Sequence, residues 1–560
     1  MDQNQTPSQN ELQAAIRRFQ SGDRDSGLAA CRELVAAAPG DADRGYALAL
    51  MLLQSGDLVT GVAELDRLIE AGHERPDAFA SRGVARLRLG DEEGAAGDLD
   101  AALRLNPGLP DAWLALASLH RKAGRLDTCI TVLRDADQAI PGHAGIRSNL
   151  AGLLAEHGDA GEAVGLLEPV VSAEPDNRAA RYNLGTALRR LERFSEAAEH
   201  LRQVTERDPD FAPAWHNLGN TLVDMGSVAE GFAAYDHSHL IQRKPGRPAG
   251  QDRSLTMTSR TKLEHDIEQL GYLRSTGVLP PQYDETIAVY EATRDALAAP
   301  EADTHMVPLP MVTRREIAPF YNRLVHLDPG AALDGPAVSP DFNGAAAEAM
   351  YRDNPPGIAW GEDLLTPEAL AGLRHFCLAS TIWYEFRYDN GYLGAFQEEG
   401  FSCPLLLQIS EELRHAMPDV LGPHTLRKTW AFKYDSRLSG IRMHADAAAV
   451  NVNFWLTPDE ANLDPQGGGL VVWDREAPLD WDFAHYNRDT PAVRAFLADA
   501  GAKAVTVAHR QNRAVLFNSD LFHETGALTF KPGYENRRIN VTMLFGRRGD
   551  EQHREHPNLK

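Results

Sequence analysis

Cysteine is scarce in this chain. Its 560 residues include only Cys31, Cys129, Cys377 and Cys403, and no two share a C-x-x-C spacing, which excludes a thiolate zinc site and a disulfide framework. Long apolar runs are missing too: none approaches the roughly 20 residues that a membrane-spanning helix needs. The opening MDQNQTPSQN has neither the basic start nor the apolar core of a signal peptide, so a cytoplasmic protein is expected. Basic residues fall short of acidic ones, 56 against 80, and the net charge of −24 would repel a phosphate backbone, which argues against a nucleic-acid partner. No glycine-rich phosphate loop follows a strand pattern, which disfavours sulfotransferase or glycosyltransferase chemistry. What remains is a chain of globular composition, 43% hydrophobic and 24% charged, too long for one core and so expected to hold at least two domains.

Proline supplies the first strong pattern. Pro107, Pro141, Pro175 and Pro209 are each 34 residues apart, and Pro39 lies two periods before Pro107. WHNLGNTL from Trp215 and RYNLGTAL from Arg181 open first helices in phase, while Ala163 and Ala197 sit where a second helix must approach closely. A fixed 34-residue period of helix-turn-helix units, each closed by a proline, resembles tetratricopeptide repeats. The resemblance implies about seven units over residues 8–245, a solenoid whose groove binds a peptide or partner protein. Asn149, Asn183 and Asn217 are again 34 apart. They resemble the asparagine ladder of the O-linked N-acetylglucosamine transferase repeats, where amides grip a peptide main chain; capping or solvating the first helix is the plainer role.

Residues 246–366 read as a connector. QRKPGRPAGQDRS marks a hinge, and Leu263, Ile267, Leu270 and Leu273 form a helical stripe suited to capping the array. An irregular linker rich in Ala, Pro and Gly follows. From about Pro367 to Arg548 two helical patterns precede alternating strands: LRKTWAFKYD, IRMHAD, AVNVNFWLT, GGLVVWD, AVTVAH, AVLFNS and RRINVTMLFG. This pattern predicts a double-stranded β-helix, or jelly-roll, with flanking helices; residues 549–560 are a charged tail.

Within this region His444 and Asp446 stand one residue apart. H-x-D/E also occurs at His157, His326 and His553, but only His444 precedes a strand series, a glycine return and a second histidine, His523, placed at the end of AVLFNSDLF. In RRINVTMLF the apolar Ile539, Val541, Met543 and Phe545 face one way, so Arg538, Asn540 and Thr542 face the other. Two histidines and a carboxylate occupy one face of a metal and leave positions open, and a guanidinium fork matches a carboxylate in bidentate fashion. Together these parts resemble the 2-oxoglutarate/Fe(II)-dependent dioxygenase superfamily, its prolyl-hydroxylase and AlkB-like members in particular.

The resemblance makes His444, Asp446 and His523 iron ligands and Arg538 the anchor for the distal carboxylate of 2-oxoglutarate. Asn540 would assist Arg538, Tyr434 would contact the cosubstrate, and Asn453 would help at the metal or at the other carboxylate. The second arginine of the AlkB motif is absent, with Leu544 in its place. The implied activity is O2-dependent hydroxylation of a peptide or protein presented by the repeats. A small-molecule oxygenase with the repeats as a docking module, a non-catalytic scaffold, and a zinc or manganese cupin are the alternatives.

Overall fold

The structure, a computed structural model, describes residues 7–246, 253–297, 306–386, 392–434 and 440–549. It divides into two compact units, residues 1–200 and 201–560.

The first unit is all α-helix among its described residues. Its helices run Pro7–Gln20, Arg24–Ala37, Ala42–Gln54, Leu58–Glu70, Pro76–Leu89, Glu92–Leu105, Pro110–Lys122, Leu126–Ala139, Ala144–His157, Ala160–Ala173 and Arg178–Arg190, then the start of Phe194–Arg207. Each of Pro107, Pro141 and Pro175 lies two residues beyond a helix end, where its missing N–H costs no helical bond. Small side chains close the crossings: Ala117, Ala151, Ala163 and Ala197 are buried in one continuous apolar core with Leu133, Leu150, Leu167 and Leu184.

Two further repeat helices, Ala212–Asp224 and Val228–Arg243, belong to the second unit. Four polar ties explain the grouping: Asp224 pairs with Arg427, Asp236 accepts from Ser402, His239 meets the Tyr384 hydroxyl at 3.0 Å, and Arg243 pairs with Glu399. Gly219 makes their own crossing possible, because a Cβ there would stand 2.5 Å from a Tyr235 ring carbon and 3.0 Å from the Gly231 carbonyl. Gly219→Ala is expected to destabilise this unit by about 1–3 kcal/mol through overpacking, seen as a lowered melting temperature with unchanged helix content.

The connector carries helices Arg260–Ser275, Tyr283–Ala296, Met311–Ile317 and Gly344–Asp353, and a small ladder of β1 (Met257–Thr258) with β2 (Val307–Pro308). Residues 247–252 of the hinge and 550–560 of the tail lie outside the described residues. The helix expected to cap the array turns its stripe into the connector's own core, where Leu263, Leu270 and Leu273 lie with Tyr290, Leu309 and Tyr321; its polar side chains reach the β-rich region, with Gln269 donating to the Leu378 and Ser380 carbonyls and Glu268 pairing with Arg537. Contacts with the final repeat helix include the Leu324 N–H on the Arg243 carbonyl, the Arg323 guanidinium on the Gln242 carbonyl at 3.1 Å, and Arg243 on the Ser254 hydroxyl at 3.0 Å.

Among the described residues nine strands follow: β3 (Ile358–Gly361), β4 (Tyr392–Phe396), β5 (Leu426–Tyr434), β6 (Val450–Trp455), β7 (Leu470–Glu476), β8 (Ala504–Val507), β9 (Ala514–Asn518), β10 (Leu521–Thr525) and β11 (Arg538–Phe545). They form an antiparallel six-stranded sheet, β3-β9-β6-β11-β5-β4, and a three-stranded sheet, β10-β7-β8. β3 lies in the stretch read as linker; its pairing with β9 brings residues 358–361 into the sheet.

Alternation along β11 sends Ile539, Val541, Met543 and Phe545 into a core shared with Leu373, Phe376, Leu406 and Ile409 of helices Pro367–Ala379 and Pro404–Ala416. The opposite face of the large sheet, through Trp455, Val515 and Phe517, meets Leu470, Val472 and Leu521 of the small sheet. Polar side chains with chemistry to offer stand on this second face.

Candidate metal centre

Two of the expected strands break differently from their sequence pattern, and both breaks build the centre. AVLFNSDLF is not one strand: the Asn518 Oδ1 accepts from the Asp520 N–H at 3.0 Å, an Asx turn that reverses the chain and starts β10 in the other sheet. His523 thus lies in mid-β10, not at a strand end. IRMHAD forms no strand of its own; it meets β10 through an isolated bridge, His444 N–H to His523 O at 3.0 Å and the reverse at 2.8 Å, and through the Thr525 N–H on the Ile441 carbonyl at 3.1 Å. Asp446 is held next to it by its N–H on the Ser519 carbonyl at 3.0 Å.

Among the described residues, His444, Asp446 and His523 form one group whose ligating atoms all lie within 4.8 Å of one another. The His444 Nε2 stands 3.7 Å from Asp446 Oδ1, and the His523 Nε2 stands 3.5 Å from Asp446 Oδ2. Each imidazole is fixed from behind: Nδ1 of His444 faces the Arg442 carbonyl at 2.8 Å, and Nδ1 of His523 faces the Leu521 carbonyl at 3.0 Å. A carbonyl only accepts, so both Nδ1 atoms carry the proton and both Nε2 lone pairs face the carboxylate. Burial, reinforced by His523, pushes the His444 imidazolium pKa down to about 4, which leaves the neutral form that ligates metals. Burial works to raise the Asp446 carboxyl, but its close neighbours His523 and His444 and the amide donated by Asn451 hold it below its ordinary value.

The carboxylate also anchors a chain of amides. Asn451 Nδ2 donates to Asp446 Oδ2 at 2.7 Å, Asn453 Nδ2 to Asn451 Oδ1 at 2.5 Å, and Asn540 Nδ2 and the Thr542 hydroxyl to Asn453 Oδ1 at 2.8 and 2.7 Å. Because Asp446 is an acceptor, the direction of every link is set. Two expectations change as a result. Asn453 does not reach the metal ligands itself; it acts through Asn451, one N-x-N step back on the same face of β6. Asn540 spends its Nδ2 on Asn453 and on the Thr542 hydroxyl at 3.1 Å, and its buried Oδ1 is left as an unpartnered acceptor, which suits no carboxylate. Asn451 was legible in VNVNFW but passed over.

Arg538 opens β11 with 1% exposure. Its guanidinium lies 4.6 Å from the ring centre of Tyr434, its partner across the β11–β5 ladder, so these two expected residues do meet. Its Nε donates to the Gly468 carbonyl at 2.5 Å and one Nη to the Gly469 carbonyl at 3.5 Å, while the other Nη, buried, has no partner. Burial lowers its pKa from the ordinary value, with Tyr434 opposing. A cavity of about 410 Å³ opens beside Arg538 and Tyr434, walled also by Leu528, Phe530, Glu268 and Arg537. The three metal-ligand candidates are not among its walls, so it lies at the arginine end of the centre.

Two asparagines of the array each have an amide nitrogen engaged within it. Asn149 Nδ2 back-bonds to the Gly145 carbonyl at 2.8 Å within its own helix, and Asn183 Nδ2 donates to the Ser148 carbonyl at 2.8 Å, tying one repeat to the one before. Asn217 lies in the second unit, on helix Ala212–Asp224. In the first two, the amide serves the array itself.

Models of the tetratricopeptide repeat family match residues 110–153 and 154–222. No curated protein matches the chain. Solved structures similar to it include YrrB, described as a TPR protein with an unusual peptide-binding site (21% identity, 33% of this chain and 96% of that one, TM-score 0.29). A MamA segment from Desulfovibrio magneticus RS-1 is 20% identical over 32% of this chain and 97% of that one, TM-score 0.28. A tetratricopeptide repeat protein from Parabacteroides merdae is 14% identical over 42% and 93%, TM-score 0.33. The N-terminal array thus contains tetratricopeptide repeats, and a β-rich region follows it.

Proposed function

We propose that the β-rich region is a 2-oxoglutarate- and Fe(II)-dependent oxygenase on a double-stranded β-helix, acting on a peptide or protein. One observation carries this reading: a buried two-histidine, one-carboxylate cluster linked through amides to the strand that bears a buried arginine with an unpartnered nitrogen. The donors suit Fe(II), since two neutral imidazoles and one carboxylate occupy three positions and leave others open. The unpartnered Arg538 nitrogen and the adjoining cavity suit the distal carboxylate of a dicarboxylate. Bound together, iron and 2-oxoglutarate would activate O2 for C–H hydroxylation, one oxygen atom going to the substrate and the other to the succinate released with CO2.

The chain's own part is placement. His444, Asp446 and His523 fix the metal, the carbonyls behind both Nδ1 atoms fix the imidazole planes, and Arg538 over Tyr434 fixes the far end of the cosubstrate. Tyr392, Phe432 and Tyr434 form a buried aromatic group that excludes water beside Arg538. Tetratricopeptide repeats generally bind peptides or proteins, which supports a macromolecular substrate. Among the described residues no helix is long and apolar enough to cross a membrane. A small-molecule substrate is the second reading, favoured by the internal bonding of Asn149 and Asn183.

Anaerobic titration with Fe(II) and 2-oxoglutarate tests the proposal. Wild type is expected to develop the visible charge-transfer band of the chelate, and Arg538→Ala to require far more 2-oxoglutarate for the same band. No band from either protein sinks the oxygenase reading.

A further inference from the structure

The guanidinium of Arg538 is already partly engaged: Nε and one Nη are directed at the Gly468 and Gly469 carbonyls, and the other Nη, with two N–H groups, has no partner. A carboxylate presents about four lone-pair sites. Buried against the two N–H groups of that nitrogen it would still be left with unfilled lone pairs, at a cost larger than for a neutral group. Any anion at this end needs further donors.

Two are waiting. Trp455 is fully buried, 5.6 Å from the Arg538 guanidinium carbon to its ring centre, and its indole N–H has no partner. An indole nitrogen can only donate. His509, 5% exposed, lies 5.6 Å from the Trp455 ring, and neither of its ring nitrogens has a partner. The nearest carboxylate, Asp459, stands 3.8 Å from its Nδ1, too far for a hydrogen bond. Buried side-chain groups usually find partners, so three unpartnered donor-bearing side chains side by side, Arg538, Trp455 and His509, call for a common explanation.

The surrounding structure holds them rigid. Phe530, which walls the same cavity as Arg538, stands edge-on to the His509 ring at 5.1 Å and 88°. The His509 N–H donates to the Gly467 carbonyl at 3.2 Å, so one glycine turn, Gly467–Gly469, fixes both His509 and Arg538. Burial, with Arg538 alongside, pushes the His509 pKa down to about 3, leaving a neutral imidazole with one N–H to give.

We infer that His509 and Trp455 are anion-binding residues that share one carboxylate with Arg538. The inference rests on the proposed oxygenase reading for the ligand's identity, the distal carboxylate of 2-oxoglutarate. It is tested by calorimetric titration of the anaerobic, Mn(II)-loaded full chain with 2-oxoglutarate and with pyruvate, which keeps the 2-oxo acid end but lacks the distal carboxylate. His509→Phe and Trp455→Phe are each expected to weaken 2-oxoglutarate ~10-fold, the loss of one hydrogen bond to a charged group, and to leave pyruvate unchanged. His509→Gln, which keeps an N–H, should recover part of the loss and guards against misfolding of the phenylalanine variant. Equal weakening of both ligands, or unchanged 2-oxoglutarate affinity in both phenylalanine variants, overturns the inference alone. Failure of wild type to bind 2-oxoglutarate overturns the oxygenase reading and this inference with it.

Discussion

Asp446→Ala is expected to abolish measurable Fe(II) or Mn(II) binding, and Asn451→Leu to lower metal affinity roughly 10- to 100-fold, the usual cost of losing an outer-shell partner. The first change removes the one anionic ligand among three. The second leaves all three ligands in place and acts through the bond from Asn451 Nδ2 to Asp446 Oδ2. Without it the carboxylate loses the donor that fixes its rotation, and Asn453 loses the acceptor for its Nδ2. A leucine at position 451 stays buried on the same face of β6, so the sheet should persist. Metal titration followed by calorimetry reads both variants, and the apo proteins' melting temperatures separate a lost ligand from a lost fold. Wild-type affinity in Asn451→Leu would show that the amide chain is packing alone.

How far the centre could be read from sequence follows from which forces placed each part. Repeat phase was legible because a 34-residue period forces identical crossings, and seven helix pairs run from Pro7 to Arg243. The facing of Arg538, Asn540 and Thr542 was legible because strand side chains must alternate, and all three are buried on the face opposite Ile539. Hydrogen-bond direction was not legible. Whether Asn540 offers a donor or an acceptor depends on a chain of four side chains ending at Asp446, set by tertiary register between β6 and β11. The part played by His509 was not legible, because an isolated histidine in a loop gives no sign of what Trp455 and Arg538 leave unpaired. The break at Asn518 was written in the Asn-Ser-Asp turn but was outweighed by the apolar run on both sides. β3, with four residues in an Ala/Pro/Gly-rich stretch, has too little pattern to reveal that it edges the large sheet.

Lys433→Met is expected to stabilise the protein on the order of 1–4 kcal/mol near neutral pH, the range seen when buried ionic groups give way to apolar ones of similar volume. Lys433 is fully buried on the face of β5 that packs against the helices. Its Nζ reaches only the Cys377 carbonyl at 3.2 Å and the Tyr534 hydroxyl at 2.8 Å, with the Trp383 and Tyr534 rings 4.2 and 4.3 Å away. Burial holds its pKa well below the ordinary lysine value, and Arg537 adds to this against the opposing Cys377, Glu268 and Asp266. The unfolded chain therefore binds a proton that the folded chain refuses, below about pH 10.4. Folding loses stability as pH falls from there toward the folded-state pKa, and methionine removes that loss. The gain in Lys433→Met should be largest near pH 7 and vanish by about pH 10, the opposite trend to a salt bridge being broken. Lys262, His265 and Asp266 nearby also have shifted pKa values, but they are present in both proteins and largely cancel in the difference. Tyr534 keeps its bond to the Leu378 carbonyl at 2.8 Å, so no hydroxyl is orphaned by the change. Urea unfolding of both proteins across pH 7–10 measures the difference, and a variant less stable than wild type at pH 7 would mean that the ammonium is paired and needed.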